Sequence, residues 1–338
     1  MLERTKMCKK LVVWDLFGGG QNSVYNTITE YNLEEFFDVY TFDVTEPTRE
    51  KHIKIDLSQA NITQLMSKYP KPDIILASPL CQSFSCVLNM KGGGTCFWKY
   101  ADETRSKLIE RSVEEFESLK GGFTKNLKAD VQLFIKRLGQ RCIDNTIELI
   151  NNYQPKYWYI ENPKHSLMWK YIKYNRNDFY NASLFLNEAS LGKYGFLTTK
   201  PTIFLSNINI KLEKGKIEPP YYVDVIDNKK YYVLKDNPQT RVDYSLDSRM
   251  LGLASIKKMI KARNAKSGMG AMDFVMRSQA AYTLKNKMVN EQLSEAGPAS
   301  AIPHKLIYAI LQAFLDEYNK TNTPLSQSFV GVSKTVAK

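Results

Sequence analysis

The sequence predicts an α/β chain: a Rossmann-like, doubly wound, mostly parallel sheet with a smaller second domain. Two observations carry this. Apolar runs of strand length alternate with helical patterns through the first half, as expected of a parallel sheet covered by helices. The runs also end, one after another, on glycine, aspartate, cysteine and glutamate. One row of strand ends therefore collects polar and reactive groups, where open α/β sheets bind their ligands.

Residues 10–17 read as the first strand, closed by Gly18-Gly19-Gly20, with a helix over 22–31. Strands follow at 37–42, ending at Asp43, at 52–55, ending at Asp56, and at 73–77, ending in Ser78-Pro79-Leu80-Cys81. A fifth covers 157–160 and ends in Glu161-Asn162-Pro163, and 182–186 and 201–205 are expected as later strands. Two stretches break the alternation. Residues 91–128 are charged and punctuated by Gly92-Gly93-Gly94 and Gly121-Gly122, which suits a mobile lid followed by a helical insertion over about 97–128. Residues 211–297 read as a small separate domain. It holds a hairpin-like pair, 221–226 and 231–234, around the turn Asp227-Asn228-Lys229-Lys230, and a basic run with Lys257, Lys258, Lys261, Arg263 and Lys266. A helix opens at Ile302-Pro303 and runs to about 318, with proline near its first turn. Residues 319–338 have the character of a disordered tail. The larger domain thus comprises 1–210 together with 298–318.

With 338 residues and 43% apolar content, the chain is able to bury a substantial core. No apolar run is long enough to cross a bilayer. The apolar stretch after the basic N-terminus is cut short by Asp15, which is too early for a signal peptide, so a cytoplasmic protein without a membrane partner is expected. Five cysteines, an odd number without a CxxC pair, and three histidines argue against a disulfide framework and against a bound metal. A cysteine with a special role is then a reactive thiol. The net charge of +12 suits a polyanionic partner, and suits equally a solvated, lysine-rich surface.

Glycines between a strand and a helix let a ligand approach the backbone and the helix amides, although the same turn also serves structure alone. Asp43 and Asp56 sit where carboxylates bind ribose hydroxyls in nucleotide folds, and also where they cap helices or stand in solvent. Cys81 lies beyond Ser78-Pro79, outside the apolar strand, where an exposed thiolate is expected and helix-start amides would lower its pKa. Glu161 follows a strongly apolar strand, where burial would raise its pKa and let it hold a proton near neutrality; the bland reading is a hydrogen-bonded structural glutamate.

Together, Asp15-Leu16-Phe17-Gly18-Gly19-Gly20, Ser78-Pro79-Leu80-Cys81-Gln82-Ser83-Phe84-Ser85 and Glu161-Asn162 resemble, in order, the motifs of the cytosine-5 DNA methyltransferases. The resemblance covers about 10–90, 130–207 and 298–318, the last with an Ala301-Ile302-Pro303 segment like the family's final motif. It implies a class I methyltransferase fold, with 211–297 as the target-recognition domain. It implies S-adenosylmethionine as cofactor, held by Asp15, Phe17 beside the adenine, Gly18 and Gly20 around the methionine moiety, Asp43 on the ribose, Asp56 on the adenine amino group, and Pro79. It implies Cys81 as nucleophile on a flipped-out cytosine, Glu161 on the ring nitrogen, and Gln82 and Ser85 at the start of a mobile catalytic loop. Double-stranded DNA would be the partner, bound by a monomer, with Lys257, Lys258, Lys261 and Arg263 on the DNA; a cognate restriction endonuclease acting separately is a further expected partner. The chain departs from the pattern at Leu80, where the family has proline, and at Pro163, where it has valine. The family's Gln-x-Arg-x-Arg segment falls near 194–201, where Lys200 alone is basic and takes the arginine's place in orienting the base. Cys81 and Glu161 are 80 residues apart, farther than is usual, which points again to an insertion. The rival readings are an RNA cytosine-5 methyltransferase and a catalytically silent DNA-binding protein that keeps the fold.

Overall fold

The computed structural model describes residues 9–18, 22–85, 97–119, 127–195, 200–216, 221–234, 237–243 and 302–322. The strands are β1 Leu11–Leu16, β2 Phe37–Asp43, β3 His52–Lys54, β4 Ile74–Ala77, β5 Trp98–Tyr100, β6 Leu108–Glu110, β7 Tyr157–Pro163, β8 Phe185–Ser190, β9 Pro201–Ser206, β10 Tyr221–Ile226, β11 Lys229–Leu234 and β12 Asn237–Asp243. The helices are α1 Ser23–Glu30, α2 Ile62–Met66, α3 Val113–Ser118, α4 Ala129–Tyr153, α5 Met168–Asn175 and α6 His304–Asn322. Seven strands form one sheet in the order β3-β2-β1-β4-β7-β9-β8. The pairs among β3, β2, β1, β4 and β7 are parallel, and β9 runs antiparallel to both its neighbours.

All six residues of β1 are buried, as in a strand covered on both faces. Successive side chains point to opposite sides. Val12, Trp14 and Leu16 join one core with Ile62, Ile143, Ile147 and Ile172, beneath α2, α4 and α5. Leu11 and Val13 join the other with Ile28, Leu306, Ile310 and Phe314, beneath α1 and α6. Chain order reverses between β1 and β4: β2 and β3 extend to one side, β4 and β7 to the other. The crevice outside the carboxyl ends of β1 and β4 is thus a topological switch point, the ligand position of open α/β sheets.

Several elements differ from the expectation. The strand expected at 182–186 begins instead at Phe185, because Asn181 Oδ1 accepts the Ser183 backbone N–H at 2.9 Å and turns the chain just before it. The hairpin between β10 and β11 turns on two residues rather than four: Asp227 and Asn228 have φ 50° and 60°, a two-residue turn of the kind that matches strand twist, so β11 starts at Lys229. β12 adds a third antiparallel strand to that small sheet. α6 continues to Asn322, four residues into the stretch read as a tail, with Thr321 Oγ1 donating to the Glu317 and Tyr318 carbonyls in the last turn. The region read as a helical insertion opens with a hairpin, β5–β6, before α3, whose Ser112 and Glu115 form a capping box. The glycine-punctuated lid at 91–96 lies outside the described residues.

Candidate active site

Register sets the site. Leu16 of β1 is level with Ala77 of β4, and Ala77 with Ile160 of β7. Residues just past these points therefore emerge side by side: Asp15 to Gly18, Ser78 to Cys81, and Glu161. Asp15 and Glu161 follow Val13 and Tyr159 by two residues on β1 and β7, and those two lie in the α1/α6 core, so both carboxyls point to the α1/α6 face of the sheet.

Cys81, Glu161 and Lys200 form one electrostatic group. Glu161 is 8% exposed and Lys200 6%. Burial pushes the Glu161 carboxyl up; the Lys200 charge and a hydrogen bond with Ser78 oppose it without cancelling it. Burial lowers Lys200, against the pull of Glu161 and Cys81. Lys200 is held at φ 33°, a left-handed conformation costly for a residue with a Cβ and found where surroundings over-determine the backbone. Cys81 reaches solvent, yet the atoms packed about its thiol raise its pKa by desolvation; Glu161 raises it further and Lys200 lowers it. This corrects the expectation of a thiol lowered by helix amides. Cys81 caps a single 3-10 turn, Gln82–Phe84, too short to present a helix dipole, so burial dominates its thiol, with Glu161 and Lys200 acting on it in opposite directions.

The Cys81 turn is tied down at both ends. The buried Asn162 donates from Nδ2 to the Pro79 carbonyl at 3.0 Å, and the Leu167 N–H donates to the Phe84 carbonyl at 2.9 Å. Phe84 stacks on Trp98 of β5 with ring centroids 5.4 Å apart and lies 5.6 Å from Tyr171. The inserted hairpin is in turn anchored to α4: Lys136 Nζ sits 4.0 Å over the Trp98 ring and donates to Glu110 at 2.9 Å, and Arg137 adds a second link to Glu110 at 2.7 Å. The Asn162 tie is made to the carbonyl of Pro79, so the departure at Leu80 leaves it intact. Gln82 is exposed on the turn and Ser85 follows it with extended backbone.

On the other side of the crevice, Asp15 is 5% exposed, and burial pushes its pKa up to about 7; Arg49 lowers it, Asp43 raises it, and a hydrogen bond with Thr41 lowers it. Its Oδ2 has no hydrogen-bond partner. A Cβ at Gly18 would lie 2.3 Å from that oxygen and 2.6 Å from Thr41 Cγ2, so only glycine lets the chain fold over the carboxyl. Phe17, half-buried, takes φ 64° to make the turn. Asp43 ends β2, and its Oδ1 accepts the Thr45 N–H at 2.9 Å. Asp56 is exposed two residues beyond β3, accepting from Ser58 N–H at 2.9 Å and Ser58 Oγ at 2.7 Å. Gly20 and the basic residues Lys257, Lys258, Lys261 and Arg263 lie outside the described residues. Cys142 is buried in α4 with its thiol pushed up to about 12 by desolvation.

Sequence reasoning missed Arg49, whose Nη2 donates to Thr41 Oγ1 at 2.6 Å and Nη1 to the Val39 carbonyl at 3.0 Å beneath Asp15. Nothing marks it among the charged residues of its loop. It also missed Gly139, although an isolated glycine inside a 25-residue helix is a signal that something packs there. Among the described residues no group of histidine, cysteine, aspartate or glutamate side chains could hold a metal ion, and no helix is long and apolar enough to cross a membrane.

No known family profile and no curated protein sequence matches the chain. Solved structures do resemble it. A methyltransferase of Entamoeba histolytica matches at 12% identity over 92% of this chain and 99% of that one, with a TM-score of 0.44. A mutant DNMT2 of Spodoptera frugiperda matches at 13% identity over 90% of this chain and 100% of that one, with a TM-score of 0.40. The Dnmt2 methyltransferase of S. pombe matches at 16% identity over 60% of this chain, with a TM-score of 0.34; the match spans 53% of that chain's length. At these identities and scores, function has to be argued from the side chains.

Proposed function

We propose that this chain is an S-adenosylmethionine-dependent methyltransferase acting on carbon 5 of cytosine in double-stranded DNA through Cys81. The observation that carries the reading is the grouping of one accessible thiol, one buried carboxyl held up in pKa and one buried lysine at neighbouring strand ends. Carbon 5 of cytosine is a poor nucleophile until a thiolate adds to carbon 6. In this reading the Cys81 sulfur bonds to carbon 6 while the ring's electron pair shifts toward carbon 5. The Glu161 proton, available because burial disfavours its carboxylate, passes to the ring nitrogen and prevents a buried negative charge. Lys200 balances whichever of Cys81 and Glu161 is ionised and fixes the base edge. Once carbon 5 has taken up a methyl group, its proton passes to a base, the Cys81–carbon 6 bond breaks to release the thiolate and re-form the ring double bond, and the ring nitrogen returns its proton to the Glu161 carboxylate. A cytosine inside a duplex cannot present carbon 6 to this turn, so the base must swing out of the stack.

The residues present suit the cofactor. Its sulfonium and ammonium are cations, and Asp15 offers a buried oxygen without a hydrogen-bond partner at the switch point. Asp15, Phe17, Gly18 and Gly20 would hold the methionine end and adenine face, Asp43 the ribose, and Asp56 with Pro79 the rest of the adenine pocket; when bound, the cofactor supplies an electrophilic methyl group. Asp15 gives a pH test. A cation favours the ionised carboxylate, and below about pH 7 the carboxyl is protonated. Binding there must displace a proton, so affinity is expected to fall roughly tenfold per pH unit below that point and to flatten above it. Calorimetry in buffers of different ionisation enthalpy should show about one proton released near pH 6.5, and Asp15→Asn should bind weakly with no pH slope. A wild-type affinity flat from pH 5.5 to 8 would remove Asp15 from the cofactor site.

The direct experiment is transfer of labelled methyl groups to unmethylated duplex DNA, followed by nucleoside mass spectrometry. 5-Methyldeoxycytidine is the expected product. Product on RNA alone would overturn the DNA assignment while keeping the chemistry, and no product on either with cofactor bound would overturn the enzymatic reading.

A further inference from the structure

Hydrogen bonds and an aromatic stack hold the Cys81 turn at several points. Asn162 holds Pro79, the Leu167 N–H holds Phe84, and Trp98 and Tyr171 pack against the Phe84 ring. The turn's buried side also carries Ser83, 1% exposed, whose hydroxyl has no hydrogen-bond partner. Ser83 faces Gly139 in the middle of α4. A Cβ built on Gly139 would lie 1.8 Å from Ser83 Oγ, 2.6 Å from Ser83 Cβ and 3.5 Å from the Leu80 carbonyl oxygen. Glycine in a helix interior is less favourable than alanine, and here its bare surface is filled by the residue two places after the nucleophile. The clash is with Cβ as well as with the hydroxyl, so rotating the serine does not relieve it.

We propose that Gly139 is a positioning residue for Cys81: the gap it leaves in α4 receives Ser83 and so fixes the height at which the Cys81 turn sits between Glu161 and Lys200. The inference rests on the reading of Cys81 as nucleophile. It goes beyond that reading by giving α4 a defined part in placing the thiol. A methyl group at residue 139 lifts the turn, and a thiol displaced by about 1 Å from its attack position loses on the order of a hundredfold in rate.

The test is a graded series, read by methyl transfer, by cofactor affinity, and by the rate at which iodoacetamide alkylates Cys81, followed on the Cys81 peptide by mass spectrometry. Gly139→Ala is expected to lower kcat ten- to a hundredfold and to change the pH profile of Cys81 alkylation, with cofactor affinity unchanged. Adding Ser83→Ala removes the 1.8 Å clash but leaves the 2.6 Å one, so it restores little. Adding Ser83→Gly leaves only the Leu80 oxygen at 3.5 Å, an ordinary contact, and should restore most of both signals. Wild-type kcat and alkylation in Gly139→Ala, or a Ser83→Gly pairing no better than the Ser83→Ala pairing, would overturn the proposal. If Gly139→Ala does not fold, Ser83→Ala alone serves, since it removes only a hydroxyl without a partner: a fewfold loss of kcat with an altered alkylation profile supports the proposal, and wild-type values overturn it. The alkylation profile needs no methyl transfer. It therefore tests the fit of Ser83 to Gly139 even if the chain proves not to be a methyltransferase, whereas absence of product in the wild-type chain counts against the function alone.

Discussion

Cys81→Ala should abolish methyl transfer, by a factor on the order of 10⁴ or more, because among the described residues Cys81 is the one exposed thiol and the proposed reaction needs a thiolate to add to carbon 6. Cofactor affinity should be unchanged, since the Asp15 side of the crevice, at the end of β1, does not include the thiol. The fold should survive as well: Cys81 reaches solvent, and the turn is held through the Pro79 and Phe84 carbonyls rather than through sulfur. The wild-type chain should also form a trapped adduct with duplex DNA carrying 5-fluorocytosine. Fluorine cannot leave as a proton, so the final step stalls with the carbon–sulfur bond intact, and a denaturing gel would show a band of protein plus DNA. Cys81→Ala should show none. A trapped band in the alanine variant, or full turnover by it, would sink the covalent mechanism outright.

The elements that carry this argument were largely legible in the sequence, and the reason is physical. β1, β4 and β7 each begin with four buried apolar residues, covered on both faces, and the first polar residue after each run (Asp15, Ser78, Glu161) falls at or near the strand end, whereas β2 carries Asp38 and Thr41 within it and ends at Asp43. The site is made of those strand ends, which is why Asp15, Asp43, Cys81 and Glu161 stood out by position alone. The β5–β6 hairpin did not. Each strand is three residues long, and Trp98 and Leu108 face the core while Lys99 and Ile109 face outward or lie half-buried, too short a pattern to separate from a charged helix. The direction of the Cys81 shift was equally hidden. It depends on Glu161 and Lys200, distant in sequence, and on how completely their surroundings exclude water, whereas local sequence offered only the expectation of helix amides. Gly139 could be noticed as a glycine out of place, but not assigned a neighbour, because Ser83 meets it only after α4 folds back across the sheet.

Glu161→Gln should separate two things that the site couples. Methyl transfer is expected to fall about 10²–10³-fold, the usual worth of a placed general acid, because glutamine can hydrogen-bond the ring nitrogen but cannot protonate it. Alkylation of Cys81 should move the other way. The Glu161 charge raises the Cys81 pKa, so at any pH above the Glu161 titration the neutral glutamine leaves more thiolate, and iodoacetamide should react roughly three- to tenfold faster. Below that titration Glu161 is itself protonated, and the two proteins should react alike. Lys200→Gln gives the mirror image: its charge lowers the Cys81 pKa and the Glu161 pKa together, so losing it should slow alkylation and widen the pH range over which Glu161 stays protonated. A merely structural glutamate, buried and hydrogen-bonded, would give slower or unchanged alkylation alongside the loss of turnover. Opposite signs for the two rates in Glu161→Gln, with Lys200→Gln shifting alkylation in reverse, require the three side chains to act on one another's protons as their placement implies.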